Sequence, residues 1–512
     1  LGLVCRVNYF TVPEEPFPAL VRKVTFENIS RKKMDIQVID GLPVFLPYGM
    51  NDWAVKHMSR TVEAWVNVSG LEKHLPYYQL NVEIDDRPDV RHIQEGNFYF
   101  AFQEGKTRRL PVIAQPECVF AQGLDFVTPA AFFGNPDFSL PKKQQVTNRT
   151  PCAMTCVELS LPGKSAETLV SIAGHAHSRA QLDAIAQSVS AKPYLHRKFC
   201  QNRDIVAGIK NYAFTHSSNP VFDQYAGQNF LDNVLRGGLP ISLQTKDGRA
   251  AFNVFSRKHG DPERDYNYFV LSPTYFSQGN GNFRDVNQNR RNDVWFNMDV
   301  AESSITTFFN LSQADGYNPL VVKGMSFFAD DTSRACGVLK DAVKGDYGSL
   351  LVLMEKGFQP GELLAAVEKN QMTLKVPPQE FLERVLGVCR KQIVADHGEG
   401  FWVDHWTYNI DLLESYLSIF PEKLREILLE RKAFTFYFND HYVLPRNSRY
   451  ILTPKGVRQY HSVMDGSKSI PAAQKGHVLR GDDGDGDVYY TDLAVKLLCL
   501  IANKAASLDP AG

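Results

Sequence analysis

The chain lacks the long apolar runs and the charge excess that would assign it to several large classes of protein. No stretch reaches the length of about 18 apolar residues that a membrane helix needs, and residues 1–7 have no features of an export signal. The 56 basic residues are balanced by 57 acidic residues. We therefore expect a cytoplasmic protein that binds neither membrane nor nucleic acid.

Paired cysteines and the common cofactor motifs are also missing. Only Cys152 and Cys156 of the eight cysteines lie close together, so we interpret all eight as thiols in a reducing compartment. There is no glycine-rich nucleotide loop, no His-Glu-x-x-His and no Gly-x-Ser-x-Gly. The acidic run 482–487 fails as a calcium loop, because Val488 and Ala494 stand where glycine and glutamate are required. We predict no cofactor and no metal.

The chain has 512 residues, which predicts two or more domains. Up to about residue 175, apolar and polar residues alternate over short segments, which is typical of half-buried strands and predicts an antiparallel β-sandwich. These segments are 21–28, 34–39, 61–68, 98–102 and 155–161. From about residue 178, apolar residues recur three and four apart and predict a mostly helical second half. The predicted helices are 179–187, 361–369, 381–394, 411–419, 422–431 and 489–506. A helical barrel with its site in long loops, notably 251–293 and 398–410, fits this pattern.

A polar segment, 275–293, is the strongest candidate for a binding site. Two glycines permit turns here, and amide, carboxylate and guanidinium groups crowd around Phe283. This mixture suits the hydroxyl groups of a sugar. The candidate residues are Arg284, Asp285, Asn287, Gln288 and Asn289.

A second segment, 398–409, interleaves aromatic and polar residues. Aromatic faces stack on the C–H surface of a sugar ring, and the polar groups bind its hydroxyls. A core loop in which Asp404 caps a helix is an equally good interpretation. The candidate residues are Trp402, Asp404, His405, Trp406, Tyr408 and Asn409.

A third segment, 442–461, carries cations and no acidic residue. It predicts a phosphate site, because guanidinium groups bind phosphate with two hydrogen bonds. A cationic surface loop is the alternative. The candidate phosphate ligands are Arg446, Arg449, Lys455 and Arg458.

Together these segments resemble the inverting β-glucoside phosphorylases of the cellobiose phosphorylase type, glycoside hydrolase family 94. That family has a Gly-x-x-Arg-Asp-x-x-Gln-Asp loop, and residues 281–289 match it except at Asn289, where many members have aspartate. The amino-acid sequences of 281–293 and 402–416 are most similar to those of the 1,2-β-oligoglucan phosphorylase branch. The resemblance implies a β-sandwich at 1–176, linker helices at 177–218, part of an (α/α)6 barrel at 219–512, and a possible homodimer.

The resemblance also implies phosphorolysis of β-1,2-linked glucooligosaccharides, with inorganic phosphate as co-substrate and α-glucose 1-phosphate as product. One carboxylic acid protonates the departing oxygen, and no second carboxylate is required because phosphate is already an anionic nucleophile. The Gly-Trp-Asn-Asp-like motif that carries this acid in the family does not occur between residues 410 and 512.

Three expectations follow from that departure. The chain opens without Met and stops after a turn-like sequence, so we expect it to be a piece of a longer protein, inactive by itself, whose general acid lies beyond Gly512. Asp404 is the fallback acid within the chain. A non-catalytic carbohydrate-binding protein and a hydrolase on the same barrel remain as alternatives.

Overall fold

A computed structural model describes most of the chain. It covers all residues except 1, 52, 86–87, 107, 124, 137, 190–192, 247, 255–275, 280, 403–405, 440, 460–461, 466–476, 482–485 and 507–512, and it leaves out the side chains of 399, 400, 402 and 446. The chain divides into two compact units, Leu1–Gly208 and Ile209–Gly512. The finer division at 176 and 218 stays a prediction.

The first unit is built from antiparallel strands. Its elements are β1 (Leu3–Thr11), β2 (Ala19–Asn28), β3 (Met34–Leu42), β4 (Val66–Ser69), β5 (Tyr77–Leu80), β6 (Gly96–Gln103), β7 (Val112–Ile113), α1 (Glu117–Phe120), β8 (Ala153–Leu161), β9 (Ala166–Ala176), α2 (Arg179–Val189) and α3 (Tyr194–Lys210). One sheet has the order β1-β2-β9-β6-β5-β4 and another the order β3-β8-β7. The antiparallel sheets predicted for this part of the chain are therefore present.

Alternation of side chains explains why β6 and β9 lie at the centre of the large sheet. Phe98 and Phe100 of β6 are fully buried, and Ile172 of β9 is buried opposite Phe100. This face packs against α2, whose Leu182 and Ile185 join the same apolar cluster. Burying a side chain of this size contributes roughly 1.5–3 kcal/mol, so the cluster holds both strands in a fixed register.

The second unit mixes helices with short antiparallel sheets. Its helices are α4 (Pro220–Gly237), α5 (Phe283–Gln288), α6 (Asp293–Phe296), α7 (Ser303–Asn310), α8 (Thr332–Ala342), α9 (Gly348–Lys356), α10 (Pro360–Lys369), α11 (Pro378–Leu386), α12 (Trp406–Ile419), α13 (Arg446–Arg449) and α14 (Leu493–Ala506). Its strands are β10 (Leu239–Thr245), β11 (Gly248–Val254), β12 (Gly281–Asn282), β13 (Asn318–Phe328), β14 (Val343–Lys344), β15 (Thr373–Leu374), β16 (Arg390–Trp402), β17 (His441–Val443), β18 (Tyr450–Thr453), β19 (Gly456–Gln459) and β20 (Val463–Asp465).

The sheet β12-β13-β16 organises the centre of this unit. Gly281 and Asn282 pair with Val322 and Val321 of β13, which in turn pairs along most of its length with β16. The start of α5 is thereby fixed on one side of β13. Strand β16, which leads towards α12, is fixed on the other side. The two polar segments of the sequence are thus attached to one sheet.

Several predicted elements of the second half are wrong, because β-pairing overrides the local helical pattern. The predicted helix 381–394 ends with α11 at Leu386, and the chain continues as strand β16 from Arg390. Ile393 and Ala395, two positions apart, face the apolar core, which is the period of a strand. The half is mixed rather than mostly helical.

Other boundaries also differ. The predicted helix 422–431 is a 3-10 turn at Pro421–Lys423 followed by a π-helical turn at Glu426–Glu430, and the predicted helix 489–506 begins only at Leu493. The predicted strand 61–68 starts as the 3-10 turn Ser59–Trp65 and becomes extended at Val66. The predicted loops 251–293 and 398–410 contain parts of β11, β12, β16, α5, α6 and α12. The elements formed by the described residues do not confirm an (α/α)6 barrel.

Within the described part of the chain, every helix is too short or too polar to cross a bilayer.

Candidate functional site

The first polar segment turns from strand to helix at Asn282. Its Oδ1 accepts a hydrogen bond from the backbone N–H of Arg284 at 3.0 Å, which caps the start of α5. Phe283 is fully buried and packs edge to face on Phe308, with ring centroids 5.2 Å apart. The cap and the buried ring fix the short helix, so the polar side chains that follow have defined positions.

The two polar segments predicted to bind sugar meet at one hydrogen bond. Asn287 Nδ2 on α5 donates to Asn409 Oδ1 on α12 at 2.6 Å, across 122 positions of sequence. Both side chains are buried, with exposed fractions of 0% and 1%. A buried amide pair has few alternative partners, so this bond fixes α5 against α12.

Two oxygens on α5 lack a hydrogen-bond partner among the described residues. They are Asp285 Oδ2 and Asn287 Oδ1, and both side chains are buried. The other oxygen of Asp285 lies 3.3 Å from Nε of Arg284, whose side chain is 43% exposed. Leaving a buried acceptor unpaired costs about 1–3 kcal/mol. A ligand hydroxyl that donates to Asp285 Oδ2 would recover that cost, whereas the oxygen of the fully buried Asn287 is closed to a ligand, so α5 presents one acceptor beside a cationic donor.

A buried carboxyl near this segment has an unusual pKa. Asp293 begins α6 and accepts a hydrogen bond from Asn253 Nδ2 at 3.0 Å. Burial raises the pKa of Asp293 to about 6, against the attraction of Arg290, and burial lowers the pKa of Arg290 to about 10. Arg290 also donates to the carbonyl of Gly237. The sequence segment contains these residues, but its pattern gave no sign that they would be buried together.

A small cavity with both apolar and polar lining adjoins that buried pair. Its volume is about 40 Å³, and Asn253, Arg290, Ser303 and Gln278 are among the residues that line it. A water molecule needs only about 10–15 Å³ of such space. The cavity therefore suits a few water molecules and not a sugar ring, so it is not the sugar site that the sequence predicts.

A stack of flat rings joins Phe401 of the second polar segment to His397 and His441, two residues that sequence reasoning did not identify. His397 lies 3.9 Å from His441 of β17 and 6.0 Å from Phe401, measured between ring centroids, with interplanar angles of 21° and 17°. Beside it, Lys323 Nζ lies 2.9 Å from Asp396 Oδ2, and this hydrogen bond holds the pKa of Asp396 below its usual value. Flat ring faces next to an ion pair are suited to the two surfaces of a sugar.

The remaining predicted sugar ligands lie at several different positions in the second unit, and some lie outside the described residues. Asn289 lies against α4, where a Cβ at Gly237 would come within 2.7 Å of its Cβ, so Asn289 helps to pack the two helices. Trp406 and Tyr408 lie in the first turn of α12, and Gln288 is half-buried at the end of α5. Trp402 lies in β16, with its side chain outside the described part. Asp404 and His405 lie outside the described residues.

The predicted phosphate ligands lie around the hairpin β18–β19. Lys455 and Arg458 are exposed there, and Arg458 Nη1 donates to the carbonyl of Val457 at 3.0 Å. Arg449 is half-buried, and its Nε has no hydrogen-bond partner among the described residues. The side chain of Arg446 lies outside the described part. Exposure at these positions suits a cationic surface loop as well as a phosphate site, so both interpretations stay open.

Comparison with known proteins gives little further information. No family model matches the chain, and no curated protein does. Among solved structures, one similar protein is assigned as a kojibiose phosphorylase from the human microbiome. The similarity has a TM-score of 0.15 and 7% sequence identity, and it covers 47% of this chain and 24% of that protein. This likeness to a glycoside phosphorylase is too weak to support an argument about fold or activity.

Proposed function

We propose that this chain belongs to a glycoside phosphorylase that acts on β-1,2-linked glucooligosaccharides. The observation that carries the proposal is the hydrogen bond between Asn287 and Asn409. It joins two segments that resemble the sugar-binding loops of one enzyme family, and it does so beside unpaired buried oxygens. The linkage and the use of phosphate rest on the sequence resemblance.

In the proposed glucose subsite, Asp285 Oδ2 accepts a hydrogen bond from a sugar hydroxyl, and the fully buried Asn287 positions α5 through its bond to Asn409. Arg284 donates to a ring substituent from its half-exposed position. An outer ring face of the stack of Phe401, His397 and His441 provides a second surface on which a sugar can stack. An acceptor and a flat face together suit a neutral sugar better than a charged ligand.

In the proposed reaction, a phosphate oxygen attacks the anomeric carbon of the terminal glucose while the bond to the departing sugar breaks. The departing oxygen takes a proton from a carboxylic acid, and α-glucose 1-phosphate forms with inversion. Asp404 remains the candidate acid within this chain. Asp293 has a suitable pKa of about 6 but is fully buried against Asn253, so we assign it no contact with substrate.

Phosphate dependence tests the proposal. The full protein that contains this chain is incubated with β-1,2-glucooligosaccharide, with and without inorganic phosphate, and free glucose and glucose 1-phosphate are measured. We expect glucose 1-phosphate only when phosphate is present. Glucose release that does not depend on phosphate would support the hydrolase and contradict the proposal.

Binding without turnover is the third outcome. The oligosaccharide would then bind to the full protein in calorimetry, while neither product forms in either buffer. That result would overturn the proposed reaction and support a carbohydrate-binding protein. The sugar subsite itself would survive, because its hydrogen-bonding groups do not depend on phosphate.

A further inference from the structure

A cluster of two histidines and a glutamate lies in the first unit. His175 pairs with Asn97 across strands β9 and β6, and side chains alternate along a strand, so His175 and His177 face the same side as Asn97 and Glu95. The opposite face of both strands carries the Phe98 and Phe100 core. The register of two core strands therefore brings the three groups together.

The ligand atoms of the three side chains converge on one point. Glu95 Oε2 lies 2.9 Å from His175 Nε2 and 3.2 Å from His177 Nδ1, and the three atoms are within 4.8 Å of one another. Ligand atoms about 2.0–2.1 Å from a tetrahedral zinc ion are roughly 3.3 Å apart. Two of the three separations thus already match a metal site to within a few tenths of an ångström.

The neighbours of His175 orient its ring. Asn97 Nδ2 donates to the carbonyl of Leu46 at 2.9 Å, which turns Asn97 Oδ1 towards His175 Nδ1 at 3.4 Å. Without a cation, a hydrogen on Nε2 donates to the Glu95 carboxylate at 2.9 Å. A bound cation would take the place of that hydrogen, and the hydrogen on Nδ1 would then point at Asn97 Oδ1. Metal-bound histidines usually bond through their second ring nitrogen to a group that is itself held in place, and Asn97, bonded to a backbone carbonyl, is such a group.

The backbone on both strands is held in place next to the cluster. Tyr77 Oη lies 2.7 Å from the carbonyl of Ala176 and 3.0 Å from that of Gln94, which are neighbours of the three candidate ligands. A Cβ at Gly96 would come within 2.5 Å of the Tyr77 ring. Glycine at 96 is thus needed for the ring to reach these carbonyls. The ligand geometry is organised before any ion binds.

We propose that His175 Nε2, His177 Nδ1 and a Glu95 carboxylate oxygen bind a divalent zinc-type cation. Two imidazoles and one carboxylate are ligands that zinc prefers, while calcium and magnesium take oxygen ligands only. Three protein ligands leave the fourth position for water. The ion would join the start of β6 to the end of β9 and so stabilise the first unit independently of the proposed sugar site.

Zinc titration of the untagged full chain, after dialysis against a chelator, tests the site. We expect one zinc ion per chain at this site, a rise in the unfolding temperature with zinc because only the folded state holds the ligands together, and no displacement by a large excess of calcium or magnesium. Substituting cobalt for zinc should give the strong visible absorption of a four-coordinate cobalt ion, which a six-coordinate aqueous ion does not give.

Variants decide whether the cluster is the site. His177→Ala removes a half-exposed ring, and Glu95→Gln keeps the shape of the side chain while removing its charge. We expect each to weaken zinc binding at least tenfold and to abolish the zinc-dependent rise in unfolding temperature. His216→Ala, at an exposed histidine of the second unit, is the control and should change neither. Zinc affinity unchanged in both cluster variants, or no zinc binding by the wild type, would overturn the proposal.

Discussion

Two buried polar side chains of the first unit, Asn28 and Thr155, bond to the backbone, whereas two at the candidate site in the second unit, Asp285 and Asn287, keep an unpaired oxygen among the described residues. Asn28 Nδ2 lies within hydrogen-bonding distance of the carbonyls of Lys32 and Leu161, and Thr155 Oγ1 donates to that of Pro111. In the second unit, Asp285 and Asn287 are buried, and each keeps one side-chain oxygen unpaired among the described residues.

Buried polar groups that have a partner stabilise the fold, whereas a buried polar group without one, such as Asp285 at the candidate site, is available to bind a ligand. A buried group that satisfies a backbone carbonyl contributes about 1 kcal/mol to folding, while a buried acceptor without a partner costs about 1–3 kcal/mol. Proteins retain such costs mainly where function requires them. We therefore expect substitution of a buried group that bonds to the backbone, such as Lys198, to cost more stability than substitution of Asp285. The predictions below test this, beginning with the largest expected effect.

The protein should become less stable as the pH rises, because of Asp293. Its pKa in the folded state, about 6, lies above the ordinary value of 3.8, so the folded state holds this proton more tightly than the unfolded state. Raising the pH from about 4 to 7 should then remove about 2 kcal/mol of unfolding free energy, since each unit of pKa difference corresponds to about 1.4 kcal/mol. Denaturant unfolding of the wild type and Asp293→Asn at pH 4 and pH 7 measures the difference.

The control for that measurement is Asp299→Asn, which removes an exposed carboxylate of the same unit. If the wild type and Asp293→Asn show the same pH dependence, the buried-carboxyl account of this site is wrong.

Lys198→Met should destabilise the first unit by about 2 kcal/mol. Lys198 Nζ donates to the carbonyl of Pro13 and pairs with Glu15, both at 2.7 Å, and the side chains are 4% and 22% exposed. Removing one partner of a fully buried pair costs about 3–5 kcal/mol, and the partial exposure of Glu15 reduces this. Thermal unfolding checks the prediction, with Lys143→Met, at an exposed position, as the control.

Lys496→Met in the second unit is the matched comparison and should cost less, about 1 kcal/mol. Lys496 Nζ donates to the carbonyls of Ser312 and Thr435, each at 2.8 Å, and burial holds its pKa well below the ordinary value. The substitution leaves two carbonyls without this donor, but it removes the cost of burying an amine. A loss as large as that of Lys198→Met would contradict the smaller cost expected for an amine that bonds to carbonyls and not to a carboxylate.

Much of the first unit could be predicted from local pattern. The alternation at 21–28, 98–102 and 155–161 corresponds to β2, β6 and β8, because each strand buries one face and the period of two is visible in the sequence. In the second unit, 381–394 was predicted as a helix, because Ile393 and Val394 continue the apolar spacing of α11. Only pairing with β13, more than 60 residues earlier, decides that 390–402 is a strand.

The candidate site also has some features that local sequence predicts and others that depend on pairing between distant segments. The sequence identified Asp285, Asn287 and Asn409 as polar groups in unusual segments, which composition alone reveals. That Asn287 bonds to Asn409 depends on the order β12-β13-β16, which no local pattern encodes. His397 and His441 were missed for the same reason, since their stacking joins two separate strands.

The most direct test of the proposed sugar site is the affinity of the full protein for a β-1,2-linked glucose disaccharide with Asp285 replaced by Asn. The substitution keeps the shape but removes the unpaired carboxylate oxygen. We expect the affinity to fall at least tenfold, which is about 1.4 kcal/mol of binding free energy, while the unfolding temperature stays the same or rises because a buried charge is lost. Unchanged affinity for the disaccharide would contradict the account.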